Sequence, residues 1–218
     1  IARDVRALIR DLESEYRPKD EGQITWSPDT LRAILHNDLR GDNVLVVSNR
    51  EPYIHVQQQE RIEVQRPASG VVTALEPVMR ACSGTWIAHG GGSADRKAVD
   101  RNGCIGVPPE NPAYKLRRVW LSAEQEAGYY YGFANEGIWP LCHIAHVRPI
   151  FRKEDWRHYY EVNSKFAETV LEEIADVKEP CVLIQDYHFT LLPGMIKAAR
   201  PDARVAVFWH IPWPNPET

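Results

Sequence analysis

Three short apolar runs constrain this chain more than anything else in it. Asn43-Val-Leu-Val-Val-Ser-Asn-Arg50, Cys181-Val-Leu-Ile-Gln185 and Arg204-Val-Ala-Val-Phe-Trp209 are continuous rather than alternating in apolar character. A strand with one wet face alternates, whereas a strand covered on both faces does not, so these runs predict buried strands of a parallel sheet. Helical patterns separate them. Glu154 to Val177 carries Trp156, Tyr160, Val162, Phe166, Val170, Leu171 and Ile174 at helical spacing, and Leu191 to Arg200 reads as a shorter helix. Alternating helix and strand requires crossover connections, which predicts an α/β fold: an open parallel sheet with flanking helices.

Upstream, residues 2–17 read as an amphipathic helix with Val5, Leu8, Ile9 and Leu12 on one stripe, ended by Pro18. Ser27-Pro28 starts a second helix bearing Leu31, Ile34, Leu35 and Leu39. Residues 1–42 are therefore expected to form a helical extension and 43–218 the Rossmann-like domain. Within that domain, residues 53–67 predict a loop or hairpin, Val71 to Cys82 a helix, and Thr85–Ala88 and Leu116–Leu121 strands. The stretch after Ser93, up to about Pro112, reads as irregular.

Ligands of open α/β sheets bind outside the carboxyl ends of the strands. The three apolar runs end in Ser48-Asn49-Arg50, Asp186-Tyr187-His188 and His210, and parallel strands would bring these to one crevice. A guanidinium, a carboxylate and imidazoles converging there suit a phosphorylated, polyhydroxylated ligand. Ser69-Gly70 ahead of a helix is a candidate anion contact, because helix N-terminal N–H groups favour negative charge. Gly90-Gly91-Gly92-Ser93 reads either as a turn or as an anion cradle. The aromatic group Tyr129 to Phe133 with Trp139-Pro140 is divided evenly between core packing and a sugar platform. His143, His146 and His158 lack a convincing further ligand, so no metal or other cofactor is expected.

Composition narrows the partners. A net charge of -4 argues against a nucleic-acid binder. No apolar run approaches the roughly 20 residues of a membrane helix, and no signal peptide is visible at the start. Cys82, Cys104, Cys142 and Cys181 are far apart, which suits unpaired thiols in a reducing cytoplasm.

Five stretches carry a more specific signal. Val46-Val-Ser-Asn-Arg50, Tyr129 to Phe133 with Asn135 and Trp139-Pro-Leu141, Trp156 to Ala167, Gln185-Asp-Tyr-His188 with Leu191-Leu-Pro193, and His210-Ile-Pro-Trp-Pro214 with Glu217 occur in this order. Together they resemble the trehalose-6-phosphate synthase family of retaining glycosyltransferases. The resemblance implies two Rossmann-like domains of GT-B type facing across a cleft, of which this chain corresponds to the first, acceptor-side domain. The donor-binding domain would lie beyond Thr218. It implies transfer of glucose from UDP-glucose to glucose 6-phosphate with retention, a nucleotide sugar and a phosphorylated sugar as substrates, and no metal. Carried over by motif, Arg50, Tyr130, Trp139 and Asp186 would bind the acceptor. Ser69, Gly70, His210 and Ile211 would bind the donor, and Asp186 and His210 would be the catalytic pair. Ser69-Gly70 stands where the family has two glycines, and His89 where it has an aromatic. The segments 90–96 and 142–146 are closer to a subgroup that includes glucosylglycerol-phosphate synthases, so glycerol 3-phosphate is an alternative acceptor. A non-catalytic sugar-phosphate sensor is the reading from a different class. A homo-oligomer is compatible with the sequence but not required by it.

Overall fold

A computed structural model describes residues 27–38, 44–144 and 147–214. The expected helix over 2–17 and the positions Leu39, Asn43, His146 and Glu217 lie outside the described residues. Helix α1 (Pro28–Asp38) starts as its sequence dictates: the Ser27 hydroxyl accepts the Thr30 N–H at 3.1 Å. Strand β1 (Val44–Ser48) leads into a hairpin of β2 (Ile54–Gln58) and β3 (Arg61–Gln65). Then come α2 (Gly70–Cys82), against which α1 packs, β4 (Thr85–His89), the short α3 (Asp95–Ala98), β5 (Cys104–Val107) and β6 (Tyr114–Val119). A turn of helix, α4 (Ala123–Glu126), continues directly into a π-helix (Ala127–Ile138) and α5 (Trp139–His143). The long α6 (Lys153–Glu173), β7 (Cys181–Gln185), a 3-10 turn (Tyr187–Phe189), α7 (Leu192–Ala199) and β8 (Arg204–Phe208) complete the described chain.

The main sheet has the order β5-β6-β4-β1-β7-β8. Every neighbouring pair is parallel except the antiparallel β5 and β6. β1 sits centrally and is buried throughout, with Val46 opposite Trp86 of β4 and Leu183 of β7. From β1 the chain moves outward through β4 to β6, then returns to add β7 on the other side of β1. The order thus reverses between β1 and β7, and that is where such sheets open a crevice.

Two expectations need correction. The run over residues 204–209 forms a strand but not a buried one: β8 is the edge of the sheet, and Val207 and Phe208 are 43% and 56% exposed. Continuous apolarity reports that a strand can be covered on both faces, not that it is. The stretch up to Pro112 is not irregular, because it contains α3 and β5. β5 is the opposite edge of the sheet, the one place where flanking prolines do not break the ladder.

The π-helix lies close against α6. A Cβ on Gly128 would sit 2.6 Å from His158 Cδ2, and one on Gly132 would sit 2.5 Å from Asp155 Cγ. Glycine at both positions allows the approach that buries Tyr129 and packs Phe133 against Tyr159 at 4.6 Å between ring centres.

Beneath the strand ends lies a buried ionic cluster. Arg118 of β6 is fully buried, and its Nε donates to Glu51 Oε2 at 2.6 Å. Its Nη2 lies 2.9 Å from Asp95 Oδ1 and donates to the Tyr53 carbonyl at 2.9 Å. The same nitrogen faces His55 Nδ1 at 2.8 Å. Burial, followed by its hydrogen bond to Asp95, pushes the Glu51 carboxyl up to about 8. Asp95 is displaced downward: burial opposes this, but the Glu51 hydrogen bond, the His55 and Gly92 N–H groups and Arg118 outweigh it. One proton held between the two carboxylates accounts for both directions. Burial and Arg118 hold His55 below its ordinary value.

This arrangement fixes the pH dependence of stability. The native state keeps a proton on Glu51 that the unfolded chain releases above about 4.5, so this contribution is lost as pH rises through about 8. Histidines held low act oppositely, destabilising the native state only below about 6.5. Between about pH 6.5 and 8 stability therefore falls with rising pH, by at most about 1.4 kcal/mol per pH unit for one proton. Urea unfolding at several pH values in that window should show the slope, and Glu51→Gln should flatten it. A flat profile in the unsubstituted protein would contradict the shared proton.

Candidate active site

The carboxyl ends of β1 and β7 open into a cleft of about 240 Å3 lined by Asn49, Arg50, Ser69, Tyr130, Asp186 and His188, among others. A second cleft of about 310 Å3 adjoins it, sharing Asn49, Arg50 and Tyr130 and adding Glu51, His89, Glu126 and Tyr131. Such dimensions suit one small molecule in two adjacent compartments.

Each side chain is positioned by identifiable bonds. After β1, the Ser48 hydroxyl donates to the Arg50 carbonyl at 2.6 Å and accepts from Trp86 Nε1 at 2.8 Å. The Arg50 guanidinium is exposed and makes no ion pair among the described residues. After β7, Asp186 has φ 76° and ψ 173°, a region essentially reserved for glycine. Its N–H donates to the Phe208 carbonyl at 2.8 Å and its Oδ1 accepts the Tyr187 N–H at 2.9 Å. Tyr159 and Asn163 of α6 hold the following turn. The Tyr159 hydroxyl donates to the Tyr187 carbonyl at 2.6 Å and accepts the Thr190 N–H at 3.0 Å, while Asn163 Nδ2 donates to the His188 carbonyl at 3.2 Å.

The His188 ring is stacked against Tyr130 at 5.1 Å and Tyr187 at 4.2 Å between centroids. Burial, with the positive charge of Arg50 and then of His210, pushes it down to about 3, so it is neutral at pH 7. Burial raises the Asp186 carboxyl, opposed by the Tyr187 N–H and by His210. His210 Nε2 lies 2.9 Å from Gln185 Oε1; an amide oxygen only accepts, so Nε2 carries the hydrogen. Asn49 Oδ1, Gln185 Nε2 and His188 Nε2 are buried without a hydrogen-bond partner among the described residues. All three residues line the first cleft. Unpaired buried polar atoms are costly, which makes their gathering at one cleft a feature in need of an explanation.

Among the residues singled out from sequence, Arg50, Ser69, Tyr130 and Asp186 are brought together in the first cleft. His210 stands at its edge through Gln185. Gly70 opens α2 with unfilled space where a Cβ would be. Trp139 and Ile211 line neither cleft: Trp139 stacks on His143 at 3.9 Å, and Ile211 packs against the core. Trp139 is helical with its ring on its own next turn, so closeness in sequence to Tyr130 does not bring it to the same space. The Gly90–Ser93 loop does cradle carboxyl groups, but they are the protein's own. Gly91 N–H donates to Glu51 at 3.2 Å and Gly92 N–H to Asp95 at 2.6 Å. The aromatic group divides by position: Tyr129 is core, Tyr130 lines both clefts and Tyr131 is exposed. Among the described residues no group of three His, Cys, Asp or Glu side chains converges as metal ligands would. Sequence reasoning placed Asn49 at the crevice without giving it a role, and missed Gln185 and the Glu51–Asp95–Arg118 cluster. The available signal for the last was two arginines inside the apolar pattern Tyr114–Val119.

The Asp186 backbone gives a direct test. Glycine adopts φ 76° without strain and alanine does not, so Asp186→Gly should melt higher than Asp186→Ala, by about 1 kcal/mol in stability. Equal stability of the two variants would mean that the residue is not strained.

The family model for glycosyltransferase family 20 matches residues 42–218. The chain is 39% identical over 178 residues to a trehalose-6-phosphate synthase of Mycolicibacterium vanbaalenii, an alignment covering 81% of this chain and 35% of that protein. With the trehalose-6-phosphate synthase of Mycobacterium ulcerans the identity is 38%, covering 79% and 33% respectively. The chain thus spans about a third of the length of these curated relatives. Solved structures share the fold. One, from E. coli and described as trehalose-6-phosphate bound with UDP-2-fluoro glucose, superposes with a TM-score of 0.62 at 23% identity over 80% of this chain and 34% of that one. A UDP-forming α,α-trehalose-phosphate synthase from Burkholderia xenovorans in complex with glucose-6-phosphate gives 0.58 at 21% identity over 78% and 34%. With a mostly parallel sheet of Rossmann type, a crevice at its point of strand reversal and this match over most of its length, the chain belongs to glycosyltransferase family 20.

Proposed function

We propose that this chain is the acceptor-side half of an α,α-trehalose-6-phosphate synthase, which moves glucose from UDP-glucose to glucose 6-phosphate with retention of configuration. The observation that carries the proposal is the exposed guanidinium of Arg50 shared by two adjoining clefts, beside unpaired polar atoms of Asn49, Gln185 and His188. Arg50 takes the acceptor phosphate, and Tyr130 and Asp186 take its sugar. Trp139, outside both clefts, has no direct contact role in this scheme. Ser69 has extended backbone and no side-chain cap bond, leaving the first N–H groups of α2 for the donor diphosphate, with Gly70 keeping the approach open. His210, aligned by Gln185, meets the donor sugar, with Ile211 behind it.

In this scheme the bond from the anomeric carbon to the diphosphate breaks. A bond from the acceptor hydroxyl forms on the same face, and the acceptor proton passes to the departing diphosphate. Asp186 is the one carboxylate lining the first cleft among the described residues, and it is assigned to holding acceptor hydroxyls rather than to nucleophilic attack. The protein supplies proximity and charge stabilisation. A cytoplasmic location belongs to the same proposal; four unpaired cysteines suit it, and no described helix is long and apolar enough to cross a membrane.

Nucleoside diphosphate release by the full-length protein tests the assignment, with glucose 6-phosphate and glycerol 3-phosphate offered separately and products identified by mass. A disaccharide phosphate is expected. Release only with glycerol 3-phosphate would move the assignment to the glucosylglycerol branch, and no release with either would favour a sensor. Arg50→Ala should raise the KM of the phosphorylated acceptor by about 10- to 100-fold, the loss of a charge-assisted contact, with little change in donor KM. His210→Ala should lower kcat while the melting temperature holds; a large drop in Tm with intact kcat would make His210 structural.

A further inference from the structure

The ionic cluster under the second cleft is not used by the proposed chemistry. Stability does not explain it either, since buried ion triads are often replaceable by packed apolar side chains at no cost. What apolar side chains lack is direction. One buried guanidinium, Arg118, bonds Glu51 at 2.6 Å and Asp95 at 2.9 Å. Glu51 directly follows Arg50 and also accepts the Gly91 N–H at 3.2 Å. Asp95 accepts the His55 N–H at 2.8 Å and the Gly92 N–H at 2.6 Å. The segment after β1 and the segment after β4 are thereby tied to each other and to β6. Arg50 sits in the tied segment with its own carbonyl held by Ser48, while its side chain reaches out unpaired among the described residues.

We propose that Arg118 is a positioning residue for the phosphorylated acceptor: through Glu51 and Asp95 it fixes the backbone at Arg50, so that the Arg50 guanidinium is aimed before the acceptor arrives. This rests on the acceptor reading above. A guanidinium on a pre-ordered backbone binds phosphate without the entropy cost of ordering a loop on contact.

A double-mutant cycle in the full-length protein separates this from simple support of the fold. Arg118→Lys keeps the charge and loses the fork. It should raise the KM of the phosphorylated acceptor about tenfold while leaving the nucleotide-sugar KM within about twofold. On the Arg50→Ala background the same substitution should add nothing, because the group it positions is gone. Additive effects, or a parallel loss for donor and acceptor, would overturn the proposal. If Arg118→Lys does not fold, Glu51→Leu, which removes the bonds to Arg118 and to the Gly91 N–H at similar size, goes through the same cycle, and the same non-additivity is expected. A wild-type protein with no preference for a phosphorylated over an unphosphorylated acceptor overturns the acceptor reading and this proposal together. A wild type with that preference and an additive cycle overturns only the role of Arg118.

Discussion

β1 is hydrogen-bonded to β4 on one side and to β7 on the other, and each of its five residues is buried. With both faces covered and both edges paired, every backbone polar group of the strand is satisfied inside the protein and none can turn to water. The position of everything after Ser48 follows. The chain leaves the sheet at one point and in one direction, between the ends of β4 and β7, and the residues there form the crevice. The Ser48 hydroxyl, held by Trp86, makes the first bond of the exit turn, and Arg50 is the first side chain beyond it free to meet solvent.

On the other side of the crevice the same control is exerted from outside the sheet. α6 does not contribute a cleft side chain, yet its Tyr159 and Asn163 hold three backbone groups of the turn after β7. That turn carries an Asp186 backbone no ordinary residue adopts freely and a His188 ring pressed between two tyrosines. A neutral imidazole beside Arg50 leaves the guanidinium as the dominant local charge.

Much of this was legible in the sequence, because strand burial and strand ends are local properties. The run at 44–48 is the fully buried strand its composition implies, the run at 181–185 is a strand with Cys181 and Leu183 only half-buried, and Arg50 and Asp186 stand where a parallel sheet would place them. Three things were not legible, each for a reason of distance. The exposure of β8 depends on what lies across the sheet from it, which its own residues do not record. Trp139 is set apart from Tyr130 by the rotation of the intervening π-helix, whose register follows from glycines facing α6 rather than from its apolar spacing. The cluster of Glu51, Asp95 and Arg118 joins positions separated by 44, 67 and 23 residues respectively (Glu51–Asp95, Glu51–Arg118, Asp95–Arg118), and no short motif spans such intervals.

β8 also sets how this sheet meets its surroundings. Among the described residues it pairs only with β7, so its outer N–H and C=O groups form an open row beside the exposed Val207 and Phe208. An apolar edge of this kind is a template: it extends the sheet with whichever strand reaches it first. That open row lies on the side of β7 opposite the one that pairs with β1, so the strand that orders the crevice and the strand that ends the sheet are separated by β7 alone.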